Sequence, residues 1–128
     1  MIVAIDFDGT CVEHKYPIVG NDLPECVEWL REWTKSGIQL ILYTMRDKKE
    51  LEDAIRWFLE RNIPLIGINK NPYQDEWTSS PKVYANLYVD DAALGCPLVF
   101  PINSRPYVDW SIVGPLVLEK LNFIGFGK

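Results

Sequence analysis

The sequence predicts an α/β fold: a single domain, residues 1–128, with a mainly parallel central sheet of about five strands flanked by helices. Three observations carry this. Short apolar runs rich in β-branched side chains alternate with amphipathic helical stretches. The 128 residues match one domain, for which about 100–200 is usual. Hydrophobic residues make up 48% and charged residues 24% of the chain, a balance that builds a core and argues against disorder.

Residues 2–5 are a continuous apolar run, as expected of a strand buried on both faces of a parallel sheet. From Asp22, read as an N-cap with Pro24 in the first turn and Glu25 three residues on, a helix runs to its stop at Gly37. Leu23, Cys26, Val27, Leu30 and Trp33 line its buried face. A second strand covers residues 38–43, completing a βαβ unit. A second helix spans about residues 47–61, with Leu51, Ala54, Ile55, Phe58 and Leu59 inward and Asn62 entering the left-handed region after it. Residues 65–68 predict a third strand. Residues 69–82 are polar, with two prolines and two serines, and read as a long loop with one helical turn near its end. Residues 87–89 form a fourth strand that runs into Asp90 and Asp91, and residues 98–102 a fifth. A helix over residues 111–122, capped by Asp109, precedes an apolar, glycine-containing close at residues 123–128.

Charge and composition exclude several function classes. The net charge of −5 repels phosphate backbones and anionic lipid, so general nucleic-acid binding and membrane association are not expected. Cys11, Cys26 and Cys96 are odd in number and form no CxxC pair, which indicates neither a disulfide framework nor a zinc site. The N-terminus lacks the basic and long apolar regions of a secretory leader, and no run has the roughly 18 apolar residues of a membrane span. A reduced, cytoplasmic setting is the expectation.

Chemistry is expected where ligands gather in open α/β sheets, at the carboxyl ends of the strands near a switch in strand order. The first strand ends at Asp6-Phe7-Asp8-Gly9-Thr10, the second at Thr44-Met45-Arg46 and the fourth at Asp90-Asp91, with Lys82 on the loop before it. Parallel strands would bring these groups to one edge. Clustered carboxylates repel one another, and hard oxygen ligands of this kind suit Mg²⁺. With Lys82 and Thr44 the cluster would form a donor-rich cup for a phosphoryl group.

DFDGT, a Thr ending a second strand, a Lys and then DD resemble, in order and placement, the four-motif signature of the haloacid dehalogenase superfamily of phosphohydrolases, whose fold is Rossmann-like. The resemblance covers residues 1 to about 95 and leaves 96–128 unassigned. It implies a Mg²⁺-dependent phosphatase acting on a phosphomonoester through an aspartyl-phosphate intermediate. Asp6 would be the nucleophile, which as a carboxylate needs no general base. Asp8 would protonate the leaving oxygen and later take a proton from water, and its backbone carbonyl would join Asp6, Asp90 and Asp91 as metal ligands. Which of Asp90 and Asp91 binds directly stays open. Gly9 permits the sharp turn and Thr10 holds it, while Thr44 and Lys82 contact the phosphoryl group. Lys70 is the alternative to Lys82.

Neither gap between motifs holds a cap domain: only eleven residues separate Thr10 from Asp22. The chain resembles the capless branch, whose open sites suit a small phosphorylated metabolite, an accessible terminal phosphate on a larger molecule, or a cover supplied by a loop or a neighbouring subunit of a homo-oligomer. Arg46 either binds substrate or pairs with an acid. His14 either reaches the leaving group or is an ordinary loop residue; Trp77 either stacks on substrate or anchors its loop. Cys11 is expected to pack. Rival readings are a phosphotransferase or mutase with the same first step, a receiver-like signalling module and a noncatalytic binding protein.

Overall fold

Four parallel strands frame the computed structural model, which describes residues 1–123. They are β1 (Ile2–Ile5), β2 (Gln39–Leu42), β3 (Gly67–Ile68) and β4 (Leu87–Val89), in the order β3-β2-β1-β4. The apolar close of the chain falls, from residue 124 on, outside the described residues.

Helices α1 (Cys26–Lys35) and α2 (Lys48–Glu60) are the crossovers from β1 to β2 and from β2 to β3. After β3 the chain returns through a loop, with a single 3-10 turn at Gln74–Glu76 in its middle, to the other side of β1. That reversal is the switch in strand order. Successive side chains of a strand face opposite ways, and Val3, Ile5, Leu40, Leu42 and Val89 form one core with side chains of α1, α2 and the C-terminal helix. Ala4 and Ile41 are buried outside that cluster, on the opposite face.

Several expectations are corrected. The sheet has four strands, because residues 98–102 do not join it: β5 (Leu98–Val99) pairs antiparallel with β6 (Tyr107–Val108) as a separate two-stranded sheet. Asp22 is not an N-cap. Its carboxylate accepts from Trp57 Nε1 at 2.7 Å and from Arg61 Nε at 2.9 Å, tying the end of α2 to this loop, and α1 starts only after Glu25, whose φ is 66°. Leu59 is 70% exposed, while Trp57, held by Asp22, is the side chain turned inward. The buried face of α1 and the left-handed Asn62 are as expected.

The C-terminal helix α3 (Trp110–Phe123) is capped by Asp109, whose Oδ1 accepts from the Ser111 N–H at 3.1 Å. It packs on α1: Trp33 Nε1 donates to Gly114 O at 2.9 Å, and the Trp33 and Trp110 rings lie 5.1 Å apart. A Cβ at Gly114 would run into the Trp29 ring, which is why glycine stands at this crossing. No described helix is long and apolar enough to cross a membrane.

Candidate functional site

The register of the sheet assembles the site. Ile5 lies opposite both Leu42 and Val89, so one residue further on Asp6 and Asp90 emerge side by side at the carboxyl edge, where the Asp6 N–H donates to Val89 O at 3.0 Å. The chain then turns sharply: Phe7 O accepts from the N–H groups of Thr10 and Cys11 at 3.1 and 2.8 Å. Gly9 makes the turn at φ 82°, and a Cβ there would collide with the Asp91 carboxylate. Glycine is therefore needed twice, for the backbone and for the approach of Asp91.

Thr10 is fully buried and bridges the segments that follow β1 and β4. Its hydroxyl donates to Asp6 Oδ2 at 2.8 Å and accepts from the Asp91 N–H at 3.1 Å. The segment the resemblance leaves unassigned holds this turn from behind. Val108 N–H donates to Gly9 O at 3.0 Å, and Trp110 Nε1 donates to Thr10 O at 2.7 Å.

Asp6, Asp90 and Asp91 each offer a carboxylate oxygen, all within 4.8 Å of one another. Burial first, and then Asp90 and Asp91, push Asp6 from its ordinary value of 3.8 up to about 8, against the lowering effect of Thr10. Burial and Asp91 also push Asp90 up. Three hard oxygen donors in a partly buried, mutually repelling cluster could hold a divalent cation, whose charge would remove the repulsion. Among the described residues one carboxylate beyond these three lines the cleft, and it is differently placed.

That carboxylate is Asp8, which is turned away from the cluster into a bidentate pair with Arg46: Nε to Oδ2 at 2.7 Å and Nη2 to Oδ1 at 2.8 Å. Arg46 also donates to the carbonyls of Pro17, Ile18 and Glu50, so all five of its N–H groups are engaged. Of the two expectations for Arg46, pairing with an acid is the observed one. It leaves no donor for a ligand.

A cleft of about 450 Å³ opens over these groups, lined by Asp6, Asp8, Asp90 and Asp91 and by Thr44, His14 and Arg105 among others. Thr44 Oγ1 accepts from the Arg46 N–H at 3.1 Å and keeps its own hydroxyl proton to donate. Asn69, with φ 52°, accepts from the Thr44 N–H at 2.8 Å and fixes that turn. Lys82 is exposed and does not line the cleft, and neither does Lys70, which pairs with Asp75 at 3.4 Å. The loop carrying Lys82 enters β4 at the amino edge, where the Asn86 N–H donates to Ile2 O at 2.8 Å. Trp77 packs edge-on against Tyr84 at 5.7 Å and anchors its loop rather than the cleft. Cys11 is buried, and burial pushes its thiol up, in keeping with packing.

Asn69 and Arg105 escaped the sequence reading. Asn69 follows an apolar run, a signal that was there to be used; Arg105 sits in a polar turn with no local signal at all.

No family model and no curated protein matches the chain. A solved structure, that of the conserved protein coded by a locus from Bacteroides thetaiotaomicron, is 33% identical, with a TM-score of 0.76 over 100% of this chain and 98% of that one. The chain belongs to that protein's family. At this identity and coverage, the two chains share one fold over nearly their whole length.

Proposed function

We propose that this chain is a capless, Rossmann-like phosphatase of the haloacid dehalogenase type, dependent on Mg²⁺ and acting on phosphomonoesters through an aspartyl phosphate at Asp6. The observation that carries the reading is the convergence of Asp6, Asp90 and Asp91 within 4.8 Å at the switch in strand order, beside Thr44. Bound there, Mg²⁺ would screen the carboxylates from each other and draw charge from the phosphoryl oxygens.

Asp6, held at Oδ2 by Thr10, attacks phosphorus with a carboxylate oxygen. The ester P–O bond breaks and the leaving oxygen departs with its electron pair. Thr44 donates its hydroxyl proton to a phosphoryl oxygen. Water then attacks the acyl phosphate, releasing inorganic phosphate and restoring Asp6. Asp8, whose two oxygens accept from Arg46, turns out of that fork to take the proton of that water and gives it to the leaving oxygen of the next ester, so the proton count closes over each turnover. That turn couples both proton transfers to the flap whose Pro17 and Ile18 carbonyls Arg46 also holds.

Phosphate release from a panel of phosphomonoesters, with and without Mg²⁺, tests the reading. Wild type is expected to turn over at least one ester only with Mg²⁺, and Asp6→Asn to lose about a thousandfold or more. Release by wild type no greater than by the variant on every ester overturns it.

A further inference from the structure

Beside the acidic cleft lies a second cavity of about 150 Å³. The two share His14 and Arg105 as lining residues, so they adjoin at those side chains. One wall is the flap after β1, with His14 and Lys15; the other is the loop between β5 and β6, with Ser104 and Arg105. Among the described residues Glu13 is the one acid in the lining. Lys15 and Arg105 against the single carboxylate of Glu13 reverse the sign of the neighbouring cleft.

The cations differ in what they are free to bind. Arg46 has every donor committed within the protein. Among the described residues no hydrogen bond or ion pair engages the guanidinium of Arg105, which lines both cavities. A planar fork of donors in that position matches a carboxylate or a phosphate. Ser104 adds a neutral hydroxyl to the same wall, and His14 and Arg105 are the residues the two cavities have in common.

We propose that the second cavity is the leaving-group subsite and that Arg105, with His14 and Lys15, recognises a second anionic group there. The substrate is then a phosphomonoester whose leaving group itself carries a carboxylate or a second phosphate. This rests on the phosphatase reading of the adjoining cleft and names the substrate class for it. It also gives the segment 96–123 a specificity role that a cap domain would otherwise fill.

The test is an equilibrium one, so that it reads independently of turnover. Asp6→Asn protein in Mg²⁺ is titrated calorimetrically with two matched pairs: glycerol 3-phosphate against 3-phosphoglycerate, and fructose 6-phosphate against fructose 1,6-bisphosphate. The doubly anionic member of at least one pair is expected to bind about tenfold tighter or more, as a charged hydrogen-bonded contact allows. The pair that responds distinguishes carboxylate from phosphate. Adding Arg105→Gln is expected to bring the ratio below about twofold. Equal binding within both pairs, no binding of any ester, or a ratio that Arg105→Gln leaves intact overturns the proposal. A preference of about tenfold that Arg105→Gln abolishes, with no hydrolysis by wild type, defeats the phosphatase reading and keeps the specificity for a second anionic group; hydrolysis with equal binding does the reverse.

Discussion

Arg46 is 2% exposed although it lines an open cleft. Its guanidinium lies 5.1 Å from the Phe7 ring and 5.2 Å from the Tyr16 ring, between the first strand end and the flap. Its five donors join Asp8, the flap and α2, and the Asp8 carboxylate beside it pushes the guanidinium pKa up still further. Removing one partner from such a pair leaves a charge with nothing to offset its desolvation, a larger loss than the net worth of the pair. Arg46→Met, which keeps most of the stem, is expected to destabilise by about 3–5 kcal/mol in urea unfolding. Adding Asp8→Asn should recover part of that, because the orphaned charge goes with it. A loss below about 1 kcal/mol is what an exposed pair gives, and it would show that the fork does not hold in solution.

At the scale of elements, the C-terminal hairpin and helix are where sequence reading and structure part. β1, β2 and β4 were legible because each is a short, largely apolar run soon followed by polar residues, so both the strand and its polar end follow from local pattern. The partnership of Asp8 with Arg46, 38 positions apart, leaves no local trace. Neither does the two-residue ladder of β5 and β6, whose apolar residues looked like a fifth strand but whose edge is taken up by each other. Asp22 misled for a related reason: an acid before a helix is a cap by pattern, and only the fold reveals that Trp57 and Arg61 reach it first. Trp110 shows what these late elements do for the site. Its indole N–H reaches Thr10 O at 2.7 Å inside the protein, so Trp110→Phe leaves a buried carbonyl unpaired, at about 1–3 kcal/mol. Because Thr10 also orders Asp6 and Asp91, the same variant is expected to weaken Mg²⁺ binding several-fold, read by titration of the folded protein. Lower stability with unchanged Mg²⁺ affinity would mean that α3 supports the fold alone.

For the whole molecule, the sheet register concentrates in one place a repulsion that the folded chain must carry, on top of a net charge of −5. Asp6 has an ordinary value of 3.8 and stands at about 8 in the fold, chiefly through burial and then through Asp90 and Asp91. Between those two values the folded protein holds a proton on Asp6 that the unfolded chain has released. More protons bound in the native state means that stability falls as pH rises. The metal-free protein is therefore expected to lose stability progressively from about pH 4 to about pH 8 through this group, with no further loss from it above that. Asp6→Asn removes the dependence and should raise the melting temperature of the metal-free protein by several degrees at pH 8 but by little at pH 4. Mg²⁺ acts in the same direction as the substitution, since it binds the ionised cluster of the native state and must displace the proton. Its stabilisation of wild type should accordingly be larger at pH 8 than at pH 6, and it should be smaller in Asp6→Asn at both. Thermal unfolding of both proteins at pH 4, 6 and 8, in a chelator and then in excess Mg²⁺, reads each of these shifts. A Mg²⁺ shift equal at pH 6 and pH 8, or one that Asp6→Asn leaves intact, would mean that the ion binds elsewhere than between Asp6, Asp90 and Asp91.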